Sequence, residues 1–524
     1  MLVSSFKSFA EENSLSKITI TSINIEVKDI YQTEDAKWFQ KFANNYHIKT
    51  KNHVVLNALP FKVGDQITQF QLKEAERLLR EESYLRDAKL TLSEDGSLDV
   101  VVIDKWTFLP TVNFKRHGGE NSSALGIRDG NFLGLGIDTV FHYKKDSQKS
   151  GYRMRVRAPI SSSDHGYVNL VLEEYDAGSQ QSFIYEQPFY TLDTDNMFLV
   201  AATKSNLETT YYQNDNELGI ALADKHLAHF KYGWLDNRYA NISERQFLGL
   251  FDYSSELIEA TLPSFSHYFN LKKQSYGYWA WEQYQSQYQV LENIYITGNK
   301  EDINFGTRQN LLVGIGQVSY DIQNNLTETS SVIDSSMLKL GYSAQHGFNL
   351  DGMLLFSRLN INLESYAEKQ LDDYYTLGYN IDLFKPLTEK VTFYSKTELN
   401  YVSEYREIPQ SLGGDTNLRG YPTQYQYGKK RWLSSFELRY YSDVELWETF
   451  SFAWVSFIDF GRAWDNPSTP NIETEILSSF GIGARIFPMV AGGRNVIHVD
   501  IARPFSDNND LTSWEWRVQV KNSF

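Results

Sequence analysis

The chain ends in WEWRVQVKNSF, residues 514–524. Trp514, Trp516, Val518, Val520 and Phe524 share one parity, while Glu515, Arg517, Gln519, Lys521 and Ser523 share the other. Successive side chains of a strand point to opposite faces, so this stretch has one apolar face and one charged face. A polar row of that length on the inner face of a soluble sandwich would face water. The pattern suits a strand with lipid on one side and a wet lumen on the other. Asn522 interrupts the apolar row only near its end, where a membrane interface tolerates it.

The alternation recurs upstream. In NVIHVDIAR (495–503), Ile497, Val499 and Ile501 alternate with His498 and Asp500. In GYRMRVRAPI (151–160), Tyr152, Met154, Val156 and Ala158 alternate with Arg153, Arg155 and Arg157. Three arginines on one face are too costly for lipid, so this basic row is expected to line the lumen, where it could also select anions or touch a substrate strand. About twenty such candidate segments, separated by Gly, Asn, Asp and Ser, run from residue 105 to the end. A tilted membrane strand needs roughly 10 residues, which these segments supply.

Composition agrees. The 524 residues carry a net charge of −16, which argues against nucleic acid as a partner. No apolar run reaches the roughly 18 residues of a membrane helix. Aromatics make up 15% of the chain, with 34 Tyr, 32 Phe and 11 Trp, and there are only 12 Pro. Mean hydropathy is −0.44, as a barrel with a polar lumen allows. A large soluble β-protein remains the competing reading. Cysteine is absent, which removes disulfides, thiol nucleophiles and cysteine metal sites. There is no HExxH pair, P-loop or GxSxG elbow, so the chain is not expected to be an enzyme, and no cofactor or metal is expected. The acidic stretches EDI (301–303) and EEY (173–175) are read as solvated surface, with divalent-ion loops as the alternative.

Residues 17–105 differ in character. KITITSINIEV (17–27) alternates as a strand through Ile18, Ile20, Ile23 and Ile25, with one slip near Thr21–Ser22. TEDAKWFQKFANNYH (33–47) is helix-like, with Thr33 as a candidate N-cap and Ala36, Phe39 and Phe42 as its apolar residues. A second helix follows Gly64, with Thr68 and Gln71 at capping-box spacing and Leu72, Ala75, Leu78 and Leu79 on one face. Strands over 84–92 and 97–104 flank a turn at Glu94-Asp95-Gly96. The predicted order is β-α-α-β-β, a small α+β domain. In the N-terminal segment 1–16, MLVSSFKSFA lacks a positive start and a long apolar core, although Ser8-Phe9-Ala10 would suit a cleavage site. A truncated or re-engineered export signal is expected there.

Several stretches together resemble one family. LGGDTNLRGY (412–421), with Gly413, Gly414, Arg419, Gly420 and Tyr421, resembles the conserved loop of the BamA/TamA outer-membrane assembly superfamily. SSFELRYY (434–441) resembles the following strand, with Glu437 at its acidic position. FIDFGRAW (457–464) resembles the next, with Asp459 and Gly461 in the family places. RDGNFLGLG (128–136) resembles an early barrel motif, and the terminal Phe524 resembles the family's assembly signal.

The resemblance implies a POTRA domain over 17–105 and a transmembrane antiparallel β-barrel over 106–524, with about sixteen strands. It implies a loop folded into the barrel, its Arg419 paired with Asp459, Glu437 or both. It also implies a weak seam between WTFLPTVNFK (106–115), containing Trp106 and Pro110, and the last strand with Trp514, Trp516 and Phe524. The implied place is the outer membrane of a Gram-negative bacterium, with the POTRA domain in the periplasm. The implied function is assembly or translocation of other proteins through a seam that can pair with a client strand. The implied partners are outer-membrane lipids and lipopolysaccharide, unfolded or secreted client proteins, and an accessory protein at the POTRA domain. The alternatives are a passive channel or two-partner-secretion-like transporter without insertase activity, and a surface protein that uses the fold only for anchoring.

Overall fold

The computed structural model describes residues 17–32, 37–117, 120–145, 149–161, 163–213, 216–261, 271–295, 300–323, 330–404, 410–414, 418–422, 424–447, 449–465, 474–490, 496–505, 511 and 514–521. An α+β unit comes first. It contains β1 (Ile18–Thr19), β2 (Ser22–Lys28), α1 (Trp38–Tyr46), α2 (Asn52–Ala58), β3 (Gln66–Ile67), α3 (Gln69–Glu81), β4 (Leu85–Leu92) and β5 (Ser97–Asp104). The slip in the first strand is a break: β1 pairs with β3, and β2 joins a sheet of order β2-β5-β4, parallel to β5. At the break the Ile20 N–H donates to Asp65 and the Thr21 N–H to Gly96.

The expected order β-α-α-β-β omits α2. Val54 and Val55 are β-branched and weaken a helix locally, but burying them with Ala58 in the core outweighs that. α3 starts at the capping box: Gln71 N–H donates to Thr68 Oγ1 (3.3 Å) and Thr68 N–H to Gln71 Oε1 (3.0 Å). Its Leu72, Ala75 and Leu79 pack with Leu90, Leu98, Val100 and Val102 of the sheet. Thr33, Ala36 and the side chain of Phe39 lie outside the described residues.

The rest is one antiparallel barrel, closed in sequence order. It opens with β6 (Phe108–His117), β7 (Glu120–Phe132), β8 (Ile137–Lys145), β9 (Ser150–Pro159), β10 (Tyr167–Tyr175) and β11 (Gly178–Gln187), and ends with Glu515–Lys521. Asn196–Ser205 and Glu208–Gln213 both pair along Asn216–Tyr239 and count as one interrupted strand. The wall then has twenty strands among the described residues, not the sixteen that the resemblance implies. Alternation holds around it: Tyr152, Met154, Leu170, Leu172, Ile482 and Trp516 are exposed on the outside, while their sequence neighbours point inward. Asn216–Tyr239 has 24 residues and Ser330–Leu350 has 21. Both exceed the roughly 10 that a bilayer needs, so the wall projects past it at one end.

The α+β unit docks across the other end. The β7–β8 turn enters it: Asn131 Nδ2 donates to Thr50 Oγ1 (2.7 Å), and the Thr50 N–H and hydroxyl each donate to Asp104 at 2.8 Å. The Lys51 N–H donates to Gly134 (3.0 Å). Around the rim, Tyr190 Oη donates to the Ala58 carbonyl (2.7 Å), Arg80 pairs with Asp302 (2.9 Å), and Tyr31 and Thr449 share a 2.8 Å bond.

Candidate functional site

The site starts from two neighbouring strands, Lys430–Leu446 and Phe450–Trp464. Ser435, Glu437 and Arg439 share the inward parity of the first, and Asp459 lies opposite Ser435 in the second. Between Gln410–Leu412 and Gln426–Gly428, which form a small ribbon, the chain turns back into the barrel. Gly413, Gly414 and Gly420 have φ of 105°, 58° and 88°, a backbone that costs glycine little. A Cβ on Gly413 would come within 2.1 Å of the Pro422 carbonyl.

That geometry delivers Arg419 to the wall. Its Nε donates to Asp459 Oδ2 (2.6 Å), its Nη2 to Asp459 Oδ1 (2.5 Å) and to Ser435 Oγ (2.7 Å), and its Nη1 to Glu437 Oε1 (2.7 Å). The Ser435 hydroxyl donates to Asp459 Oδ1 (2.6 Å), and the guanidinium lies 3.5 Å from the Phe457 ring centroid. Asp459 is 0% exposed and Arg419 5%. Charges so deeply buried are tolerable only with such pairing and shared hydrogen bonds. Tyr421 Oη donates to the Ser478 carbonyl (3.0 Å), and the Gly414 N–H closes the loop on Tyr421 (2.9 Å). This arrangement can hold a loop against the wall; it contains no nucleophile and base pair.

A second insertion comes from the docked end. Tyr288–Glu292 and Lys300–Asn304 form a hairpin between wall strands Leu271–Gln285 and Arg308–Gln323. Ile294 and Tyr295 pack against the inward Phe356, Phe384 and Tyr394. The Glu301 carboxylate accepts from the N–H groups of Ile294 (3.0 Å) and Tyr295 (2.9 Å). Arg439 Nη1 donates to the Ile294 carbonyl (3.1 Å), while its Nε donates to Glu437 Oε2 (2.9 Å). EDI (301–303) is therefore neither an ion loop nor solvated surface: Glu301 is buried within the hairpin and Asp302 pairs with Arg80 of α3. Among the described residues, no group of three or more His, Asp or Glu is placed to hold a metal.

The barrel closes on a short seam. Among the described residues, β6 pairs with the last strand through Lys115↔Arg517 and Phe114↔Val518 alone, whereas β6 and β7 pair from Phe108↔Asp129 to His117↔Glu120. Pro110 faces Ile127 of β7, away from the described seam pairs. The Trp106 N–H donates to the Val490 carbonyl (2.7 Å), before β6 begins. Trp514 and Trp516 are exposed on the outer face, and Phe524 lies outside the described residues.

The basic row lies inward with a neighbour for each arginine. Arg153 meets Glu173 of the EEY stretch (3.1 Å), Arg155 meets Asp138 (2.7 Å), and Arg157 lies 4.0 Å from the Tyr167 ring centroid. Sequence reading did not single out the Arg485–Asp500–Arg517 cluster, with contacts of 2.6 and 2.8 Å, beside the seam. Its signal was present, since all three residues sit at inward parity.

Residues 350–524 match the Omp85 superfamily domain. This stretch contains the tied loop, both wall strands that hold it and the last strand of the seam. Looser likeness extends over most of the chain. BamA from Haemophilus ducreyi, in a form lacking POTRA domains 1–3, is 12% identical over 96% of this chain and 85% of its own, with a TM-score of 0.44. CdiB from Acinetobacter baumannii is 12% identical over 97% and 74%, with a TM-score of 0.42. CdiB from Escherichia coli is 11% identical over 95% and 76%, with a TM-score of 0.43. Likeness of this size assigns no function. No curated protein matches the chain in sequence.

Proposed function

We propose that this Omp85-type barrel assembles or translocates other proteins in the outer membrane of a Gram-negative bacterium, using its seam. The observation that carries the reading is the closure between β6 and Glu515–Lys521, which rests on two pairs among the described residues. Barrels normally abolish strand edges; a seam this short leaves edge hydrogen-bonding groups to be satisfied by an incoming strand. The α+β unit is read as a POTRA domain on the periplasmic side, receiving unfolded or secreted clients or an accessory protein before they meet the seam. Lipid and lipopolysaccharide surround the wall, and the work needs no cofactor or covalent chemistry. The passive-channel reading gains less support, because the α+β unit and the 288–304 hairpin both occupy the docked mouth.

The test uses the absence of native cysteine. Phe114→Cys with Val518→Cys places a disulfide across the seam. The purified protein in liposomes is expected to speed the folding of an unfolded outer-membrane protein. Oxidation should abolish that effect and reductant restore it. Steady ion conductance without any acceleration, indifferent to the disulfide, would overturn the proposal in favour of a pore.

A further inference from the structure

α1 presents an aromatic stripe to the surroundings. Trp38, Phe42 and Tyr46 recur at i, i+4 and i+8, on one helix face, and are 80%, 51% and 69% exposed. The Phe42 and Tyr46 rings lie 4.4 Å apart, and Ile48 continues the exposed apolar surface. Gln40, on the opposite side of the helix, is buried.

The helix is held at the barrel rim. Asn44 accepts from the Tyr31 N–H (3.1 Å) and donates to the Tyr31 carbonyl (2.9 Å), and Tyr31 Oη bonds Thr449 Oγ1 (2.8 Å) in the turn after Lys430–Leu446. On that strand the outward Leu438 and Tyr440 are followed, past a register shift between Tyr441 and Glu445, by exposed Val444, Leu446 and Trp447. Gln40 Nε2, on the face opposite the stripe, donates to the Trp447 carbonyl (3.5 Å), so the helix sits beside this apolar rim with its stripe turned outward. Lys37, Lys41 and Lys51 flank it and are exposed. Aromatic side chains with a basic border fit the boundary between anionic headgroups and acyl chains.

We infer that α1 is an interfacial anchor: its stripe enters the headgroup boundary of the phospholipid leaflet on the docked side, and the flanking lysines meet lipid phosphates. The anchor fixes the α+β unit to the membrane as well as to the rim. It requires only that the barrel sits in a bilayer and goes beyond the assembly reading.

The cysteine-free chain permits single-site labelling. Phe42→Cys, Tyr46→Cys and, as a control in the β4–β5 turn, Glu94→Cys would each carry a bimane in full-length protein. The proteins are placed in phosphatidylethanolamine/phosphatidylglycerol vesicles whose acyl chains are brominated near the headgroup. Quenching at 42 and 46 is expected to exceed that at 94 by about twofold or more, and to fall when Lys41→Glu is added or phosphatidylglycerol is removed. Equal, low quenching at all three sites overturns the anchor and leaves the stripe to a protein partner.

Discussion

Arg419 places four guanidinium hydrogen bonds in one pocket: two to Asp459, one to Glu437 and one to Ser435. Among the described residues, removing it leaves the buried Asp459 with only the Ser435 hydroxyl as a side-chain donor and Glu437 with only Arg439. We expect Arg419→Ala to cost about 3–5 kcal/mol, read as a lower temperature for the electrophoretic shift of the folded barrel. Arg419→Lys keeps the charge but loses the planar fork, and should fall between the variant and the native protein. Lys429→Ala, which removes a 3.5 Å pair with Glu404, should change stability by less than about 1 kcal/mol. A second residue sets a pH limit. His165 stacks on Tyr190 at 3.6 Å, and burial, opposed by Asp164 and reinforced by Lys62, holds its pKa down to about 4. A free histidine titrates near 6.5, so the unfolded state takes up the proton first. The neutral stack contributes fully above about pH 6.5, and its contribution is lost as pH falls toward 4. Melting curves should show this loss, and His165→Phe should flatten it.

At the scale of elements, docking rests on the β7–β8 turn. A Cβ on Gly134 would come within 2.3 Å of the Lys49 carbonyl, at a φ of 72°. Gly134→Ala is therefore expected to loosen the α+β unit while leaving the barrel closed. Limited proteolysis near Lys105–Thr107 should accelerate several-fold, with the folded-barrel shift unchanged. What the sequence revealed at this scale depended on what periodicity can carry. The break near Thr21 and the Thr68–Gln71 cap were visible because they disturb or mark local patterns. α2 was not, since its two valines argue against a helix and only tertiary burial favours one. The 288–304 hairpin was invisible for a different reason. Its alternation is the same whether a strand lies in the wall or inside it, so segment spacing alone cannot separate the two.

For the whole molecule, the count of about twenty segments came closer to the wall than the family expectation of sixteen, though the two-residue break after Ser205 and the inserted hairpin complicate any such count. Circumference grows with strand number, and a wider lumen accommodates both a far-end loop and a docked-end hairpin. Arg419, Glu437 and Asp459 could be selected in advance because motif and parity point to the same residues; the partner role of Arg439 could not, since it needs the hairpin. The molecule as a whole should conduct poorly in a planar bilayer. Replacing residues 288–304 by a short Gly-Ser turn should raise single-channel conductance several-fold while the barrel still folds.

Glu437 has two oxygens, and each belongs to a different end of the barrel. Oε1 receives Arg419 from the far-end loop, and Oε2 receives Arg439, which also holds the hairpin at the docked end. Thermodynamic reciprocity then applies. If withdrawing the loop weakens the grip on the hairpin, displacing the hairpin must weaken the grip on the loop by the same free energy. On that condition, a single carboxylate would let a binding event at one mouth be felt as a change in affinity at the other.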